Sequence, residues 1–393
     1  MRISEANRLR ILYFLVFCCT AAWLPIIAQF LTNSGLNAWQ RSIVMAITPL
    51  MMFLVQPFYG AFVDRHGYKK CLLLATFFAS ITYVGYLADQ SFWWLVLVTL
   101  LMSFFYNTIQ PILDSLSLQL AQNNPKFSYG KLRIAGAAGW AFTGIITGYL
   151  VDFSDTTIIF LVSAISMFLT FLFALPLKTA GKHESAADQS FQFVGKLLKI
   201  KTLLFLLICV TLISAGTQAI WYFYYPYMQE IGASSTLTGY GISLQGLCEL
   251  PLFYFATQII GRFGIKTTLL ITIFVTAGRM LLYTAVNNPY AALPIELLHG
   301  ISWSLFWAVC VEFVNSLVPE ERRATGQSLL YAAYYGIGTI AGNTWVNYLA
   351  ETQMKMTEIF LLNAGIVFFT GILVMVFLKG RAKAQRRQDF VAP

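Results

Sequence analysis

The sequence has little charge and almost no long polar stretch. Only 11% of its 393 residues are Asp, Glu, Lys or Arg, against 58% hydrophobic and 16% aromatic, and the mean hydropathy of +0.67 lies far outside the range of soluble domains. Such a chain crosses a bilayer many times. At about 20 apolar residues per helical span, it has room for roughly a dozen spans. Chemistry-bearing signatures are missing as well. No HExxH, GxSxG, Walker or paired-cysteine sequence occurs, which argues against an enzyme and against ATP-driven transport by the chain itself. The six cysteines (Cys18, Cys19, Cys71, Cys209, Cys248 and Cys310) all fall in apolar runs. They read as small packing residues rather than metal ligands or a disulfide framework, and neither a metal nor a cofactor is expected. The first apolar run is long enough to span and has no cleavage motif ahead of a polar mature domain, so no cleavable signal peptide is expected.

Hydropathy places spans near 9–31, 40–63, 70–88, 92–120, 130–152, 156–177, 201–229, 235–260, 267–286, 290–317, 324–349 and 356–379. An even count puts both termini on one side. Basic residues cluster at Arg2 to Arg10, Arg65 to Lys70, Lys126 to Lys131, Lys178 to Lys201, Arg262 to Lys266, Arg322 to Arg323 and Lys379 to Arg387, all in the even loops and tails. The odd loops hold Arg41 and Lys355 among Asp89, Asp152, Asp155, Glu230, Glu351 and Glu358. The positive-inside rule therefore sets both termini in the cytoplasm. The net charge of +9 is thereby a matter of topology, and no nucleic-acid partner is expected.

The one long polar stretch, 178–200, divides the chain into two halves of six spans. A duplication would leave a repeat, and DRHGYKKCLLL (64–74) realigns with GRFGIKTTLLI (261–271) at an offset of 197 residues, pairing Arg65 with Arg262, Gly67 with Gly264 and Lys69 with Lys266. Parallel six-span halves are what a rocking, alternating-access transporter requires. The stretch GAFVDRHGYKK (60–70) resembles the loop 2–3 motif of the major facilitator superfamily, with Tyr68 where the family has arginine. The resemblance implies an all-α membrane protein of twelve transmembrane helices in two pseudo-symmetric six-helix bundles. Residues 1–177 and 201–379 would be the bundles, 178–200 a cytoplasmic linker and 380–393 a basic cytoplasmic tail. Gly60, Asp64, Arg65, Gly67, Lys69 and Lys70 would form the conformational-switch motif, with Asp64 helping to hold the halves together on the cytoplasmic side.

Function lives in the site and not in the fold, so charges inside the spans carry more. Each costs about 2.5–3.5 kcal/mol on insertion scales and usually faces a partner or a wet cavity. The set is Asp114, Arg133, Glu249, Arg279, Glu296 and His299, with Glu312 nearer the headgroups. In sign it offers two groupings: Asp114 with Arg133, and Glu249 with Arg279 and His299. Glu296, His299, Trp303 and Trp307 share one helical face. PILDSLSLQL, FSYGKLRIAGAAGWAF, GLCELPLF, AGRMLLY and IELLHG resemble the lactose permease branch of the oligosaccharide:proton symporters, and most also fit the related phenylpropionate permease branch. That likeness implies that Asp114, Arg133 and Trp140 bind the solute while Glu249, Arg279 and His299 couple it to protons. Two departures matter. Ser302 stands where the branch has the proton-carrying carboxylate, and Glu296 where it has lysine, so the proton site would move to Glu249 or Glu296. Without it the protein would be a uniporter.

Gln218, Trp221, Tyr222 and Tyr225 recur on one face of span seven, and Tyr331, Tyr334 and Tyr335 cluster on span eleven. Most such rings in a chain with 33 Phe and 20 Tyr are packing residues; Trp140, Gln218 and Trp221 are kept as candidate contacts. Glycine and alanine in spans five and eleven let helices approach and slide. The expected function is a proton-coupled symporter importing a small polar solute such as a sugar. A nucleoside or aromatic-acid symporter, a uniporter and a ligand sensor are the alternatives. Its expected partners are the solute, protons and the lipid bilayer, acting as a monomer in the bacterial cytoplasmic membrane.

Overall fold

The computed structural model describes residues 4–123, 127, 129–177, 195, 197–319 and 323–378. Most of the linker and the basic tail lie outside them. The described residues form helical segments and no strand: α1 Glu5–Asn33, α2 Ala38–His66, α3 Tyr68–Gly85, α4 92–123, α5 Tyr129–Phe153, α6 Ile158–Ala174, α7 Lys201–Glu230, α8 Ser235–Phe263, α9 Ile265–Thr284, α10 Pro289–Leu317, α11 323–351 and α12 Met356–Phe377. Each falls on an expected span. Seven segments are long and apolar enough to cross a membrane: Glu5–Asn33, Phe92–Ser117, Lys131–Phe153, Lys201–Glu230, Ile265–Thr284, Pro289–Leu317 and Met356–Phe377. This is a multi-pass membrane protein.

Proline sets two of the departures from unbroken helix. Pro25 and Pro111 have no N–H to give to the carbonyls of Ala21 and Asn107. There α1 turns at 24–26 and α4 at 107–108. Elsewhere the coil winds unevenly: α10 passes from a 3-10 stretch (Leu293–Leu298) into a π-helical one (Gly300–Leu305), and α11 contains a π-helical stretch, Ala332–Gly338. Such stretches are frequent at functional sites.

The repeat reaches the backbone. Gly67 (φ +87°) and Gly264 (φ +80°) end α2 and α8, while Gly35 (φ +76°) and Gly232 (φ +83°) precede α2 and α8. Both pairs keep the offset of 197 residues, and both demand a conformation that glycine adopts without strain. Packing repeats too. In the first half α1 lies on α5 and α6, α3 on α6 and α4, and α2 on α4; in the second α7 lies on α11 and α12, α9 on α12 and α10, and α8 on α10. The halves meet along α5–α8 and α2–α11. At α5–α8 the backbones nearly touch: a Cβ on Gly148 would come 2.3 Å from the Ser235 carbonyl oxygen, and one on Gly239 2.3 Å from that of Gly144.

Both seams are fastened at the odd-loop face by a carboxylate on the first amides of the opposing helix. Asp152, at the end of α5, accepts from the Ser235 and Thr236 N–H groups (2.8 Å each) and the Thr236 hydroxyl (2.6 Å) of α8. Glu351, at the end of α11, accepts from the Ala38 N–H (3.0 Å) of α2 and faces Arg41 at 3.6 Å. Orphan amides and the helix dipole make a helix N-terminus a good seat for a carboxylate.

Candidate functional site

The second half holds a buried polar chain between α8, α9 and α10. Arg279, fully buried on α9, pairs with Glu296 of α10. Tyr283, one turn along α9, receives the Arg279 Nε–H (3.0 Å) and donates its own hydroxyl to Glu296, to which Gln245 of α8 also donates (2.7 Å). Three donors thus hold Glu296, the environment a buried carboxylate needs. Arg279 also reaches the His299 Nδ1 at 2.8 Å and the Ser302 hydroxyl at 3.3 Å. Because a guanidinium can only donate, Nδ1 must accept. The His299 proton therefore sits on Nε2, which faces the Glu249 carboxylate at 3.2 Å. The chain runs from Gln245 through Glu296, Arg279 and His299 to Glu249.

The sequence grouping of Glu249 with Arg279 needs correction. Arg279 pairs with Glu296, and Glu249 meets it only through His299. Glu296 and His299 share a face of α10, as their spacing implies, but His299 stands between Arg279 and Glu249, so Glu296 is the acid that reaches the guanidinium. Tyr283 and Gln245 escaped sequence reasoning, although Gln245 stands one turn before Glu249 on α8. Glu312 is exposed on α10, as expected.

In the first half, Asp114 on α4 accepts from the Tyr13 hydroxyl (2.7 Å) and the Gln110 amide (3.0 Å). Arg133 on α5 lies over the Phe17 ring of α1, 5.9 Å from its centroid, near the interface between the halves. There its field reaches Glu249, and the Tyr331 hydroxyl is within its hydrogen-bonding range and close enough to Asp114 to sense that charge. Half-buried Tyr335 feels both Arg133 and Glu249. Around this junction stand Trp221, Trp303, Trp307, Tyr331, Tyr334 and Tyr335, with ring centroids 4.9–6.3 Å apart and the Trp221 indole N–H on the Tyr334 hydroxyl. Trp140 lies in the α5–α8 seam, edge-on to Trp221 at 6.2 Å. Gln218 donates to Ser214 one turn back. Of the switch motif, Gly67, Lys69 and Lys70 lie at the α2–α3 junction; Gly60, Asp64 and Arg65 belong to the helical run of α2, and their side chains lie outside the described residues.

The profile of the MFS_1 like family matches residues 6–376. The chain belongs to that family, within the major facilitator superfamily. It is 26% identical over 377 residues to the maltose permease of Geobacillus stearothermophilus, covering 94% of each chain. It is 22% identical over 388 residues to the multidrug resistance protein MdtG of Klebsiella pneumoniae, covering 95% of this chain and 92% of that one. The crystal structure of the nucleoside transporter NupG superimposes with a TM-score of 0.83 at 19% identity, over 96% of this chain and 100% of that one. These relatives and neighbours of this MFS_1-like chain are transporters and not enzymes; the protein transports a small solute.

Proposed function

We propose that the chain is a proton-coupled symporter that imports a small polar solute, a sugar or oligosaccharide, by alternating access. Its helical segments form twelve spans in two six-helix bundles, residues 1–177 and 201–379, with both termini in the cytoplasm. In this reading the odd-loop face looks outward, and Asp152 and Glu351 close it.

The observation that carries the reading is the junction of the two polar sets between the halves. Glu249 ends a hydrogen-bonded chain in one half and lies in the field of Arg133 in the other. Arg133 and Asp114 bracket solute hydroxyls through charge-assisted hydrogen bonds, and Trp140, Trp221 and Gln218 line the route. Glu296, held by three donors, serves as the fixed counter-ion of Arg279. Glu249 has one donor, His299, among the described residues, and is the carboxyl free to take a proton. A proton on Glu249 cancels its attraction for Arg133 and frees the guanidinium for solute, so that proton and solute bind together and leave together.

The test is solute-driven proton uptake in proteoliposomes across mono- and disaccharides, nucleosides and aryl acids. A signal with a sugar that vanishes in Arg133→Ala supports the reading. Normal sugar uptake by that variant removes Arg133 from the site. A nucleoside or aryl acid is the second reading, favoured by the ring cluster around Trp303 and Tyr335, whose flat faces suit an aromatic solute as well as a pyranose. A signal with uridine alone would select it.

A further inference from the structure

Buried polar atoms in native proteins are almost always paired. Asn343 on α11 is not: it is 1% exposed, and neither its amide nitrogen nor its amide oxygen has a hydrogen-bond partner. Among the described buried residues it is the one side-chain amide with both atoms unpaired. The Gln218 amide oxygen on α7, also 1% exposed, lacks a partner too.

The two amides lie on the packed pair α11 and α7. Gly342, beside Asn343, lets α11 rest directly on α7. A Cβ there would come 2.4 Å from the Ala215 carbonyl oxygen and 2.5 Å from the Gln218 Cγ. One turn further, Asn347 donates to the Asn343 carbonyl (2.9 Å), reaches the Met45 sulfur of α2 (3.5 Å) and receives the Arg41 Nε–H (3.1 Å). Residues i and i+4 of a helix share a face. Asn343 is therefore turned toward the seam between α11 and α2, between the Glu351 fastening at its outer end and the Tyr331–Arg133 junction deeper in. That seam parts if the halves rock.

We propose that Asn343, together with the Gln218 amide oxygen, is a solute-contacting group that sets specificity on the outer side of the Arg133 site. With the seam parted, its N–H groups and oxygen exchange hydrogen bonds with solute hydroxyls, which both donate and accept. A charged or purely apolar solute would satisfy only part of that amide. In the closed state the amide is left without a partner, which makes the solute-free closed form less favourable than an apolar side chain would. The proposal rests on the solute-transport reading above.

Asn343→Leu separates this role from a structural one, because leucine is close in size and brings no polar atom that needs a partner at position 343. The purified variant and the wild type are compared without solute by thermal unfolding, and with maltose, uridine and 3-phenylpropionate by calorimetry. The expected result is an unfolding temperature equal to or above that of the wild type, with affinity for whichever probe the wild type binds weakened at least tenfold. Undiminished affinity overturns the proposal. So does an unfolding temperature lowered by several degrees with affinity intact, which marks the amide as structural. Should leucine not be accommodated, Asn343→Ala is held to the same tenfold criterion. If the wild type binds uridine and not maltose, the sugar reading fails while the Asn343 assignment is judged on uridine alone.

Discussion

The odd-loop rim and the buried chain around Arg279 both use carboxylates, in opposite ways. At the rim, Asp152 and Glu351 join one half of the chain to the other, at the end of the seam and partly in water. In the interior of the second half, Glu296 and Arg279 are fully buried and belong to the same half. In the alternating-access reading proposed above, contacts that break in each cycle sit where water replaces them cheaply. Contacts that must persist are placed where nothing can replace them.

That contrast predicts a ranking. Removing one member of the buried pair should have the largest effect: Arg279→Ala or Glu296→Ala leaves an uncompensated interior charge and should destabilise by about 3–5 kcal/mol, seen as a large drop in unfolding temperature or loss of protein from the membrane. Replacing both with apolar residues, Arg279→Met with Glu296→Leu, should restore much of that stability without restoring coupling. A double variant as unstable as the singles would mean that the pair is not the unit described.

Next comes the junction between the halves. Arg133→Ala should leave insertion and folding intact and lower solute affinity by ten- to a hundredfold, the scale of a charge-assisted hydrogen bond of about 1.5–3 kcal/mol, read by calorimetry. A wedge in the seam follows: Gly239→Val should force α5 and α8 apart and reduce the closed population, read as a longer distance between spin labels on the loops near 155 and 233. Smallest is the rim itself. Asp152→Asn or Glu351→Gln alone should cost about 0.5–1 kcal/mol, the worth of a capping charge. That is a few-fold shift toward the open form in the same label experiment, with unfolding temperature nearly unchanged. A rim variant that unfolds the protein would erase the contrast.

Much of this was legible in the sequence because charge inside a span is rare enough to stand out. Asp114, Arg133, Glu249, Arg279, Glu296 and His299 announced themselves, and Gly67 and Gly264 marked the repeat. Their pairing was not legible. Which acid meets Arg279 depends on how α8, α9 and α10 pack together, which the periodicity of a single helix does not report. Asp152 and Glu351 were visible only as acidic residues of odd loops, since their partners lie 83 and 313 residues away. Amides were harder still: Gln245 and Asn343 carry no charge and look like ordinary polar residues of an apolar run. The twelve expected spans all fall on helical segments, and among the described residues seven meet the length and apolarity of a crossing helix, while Ile158–Ala174 is apolar but shorter.

The measurement closest to the central claim uses Glu249→Gln in proteoliposomes, comparing exchange of labelled solute at equal concentrations with accumulation driven by a proton gradient. If Glu249 is the titrating end of the chain, exchange persists while accumulation is abolished. A variant that still concentrates solute against its gradient would contradict the account and take the coupled proton away from Glu249.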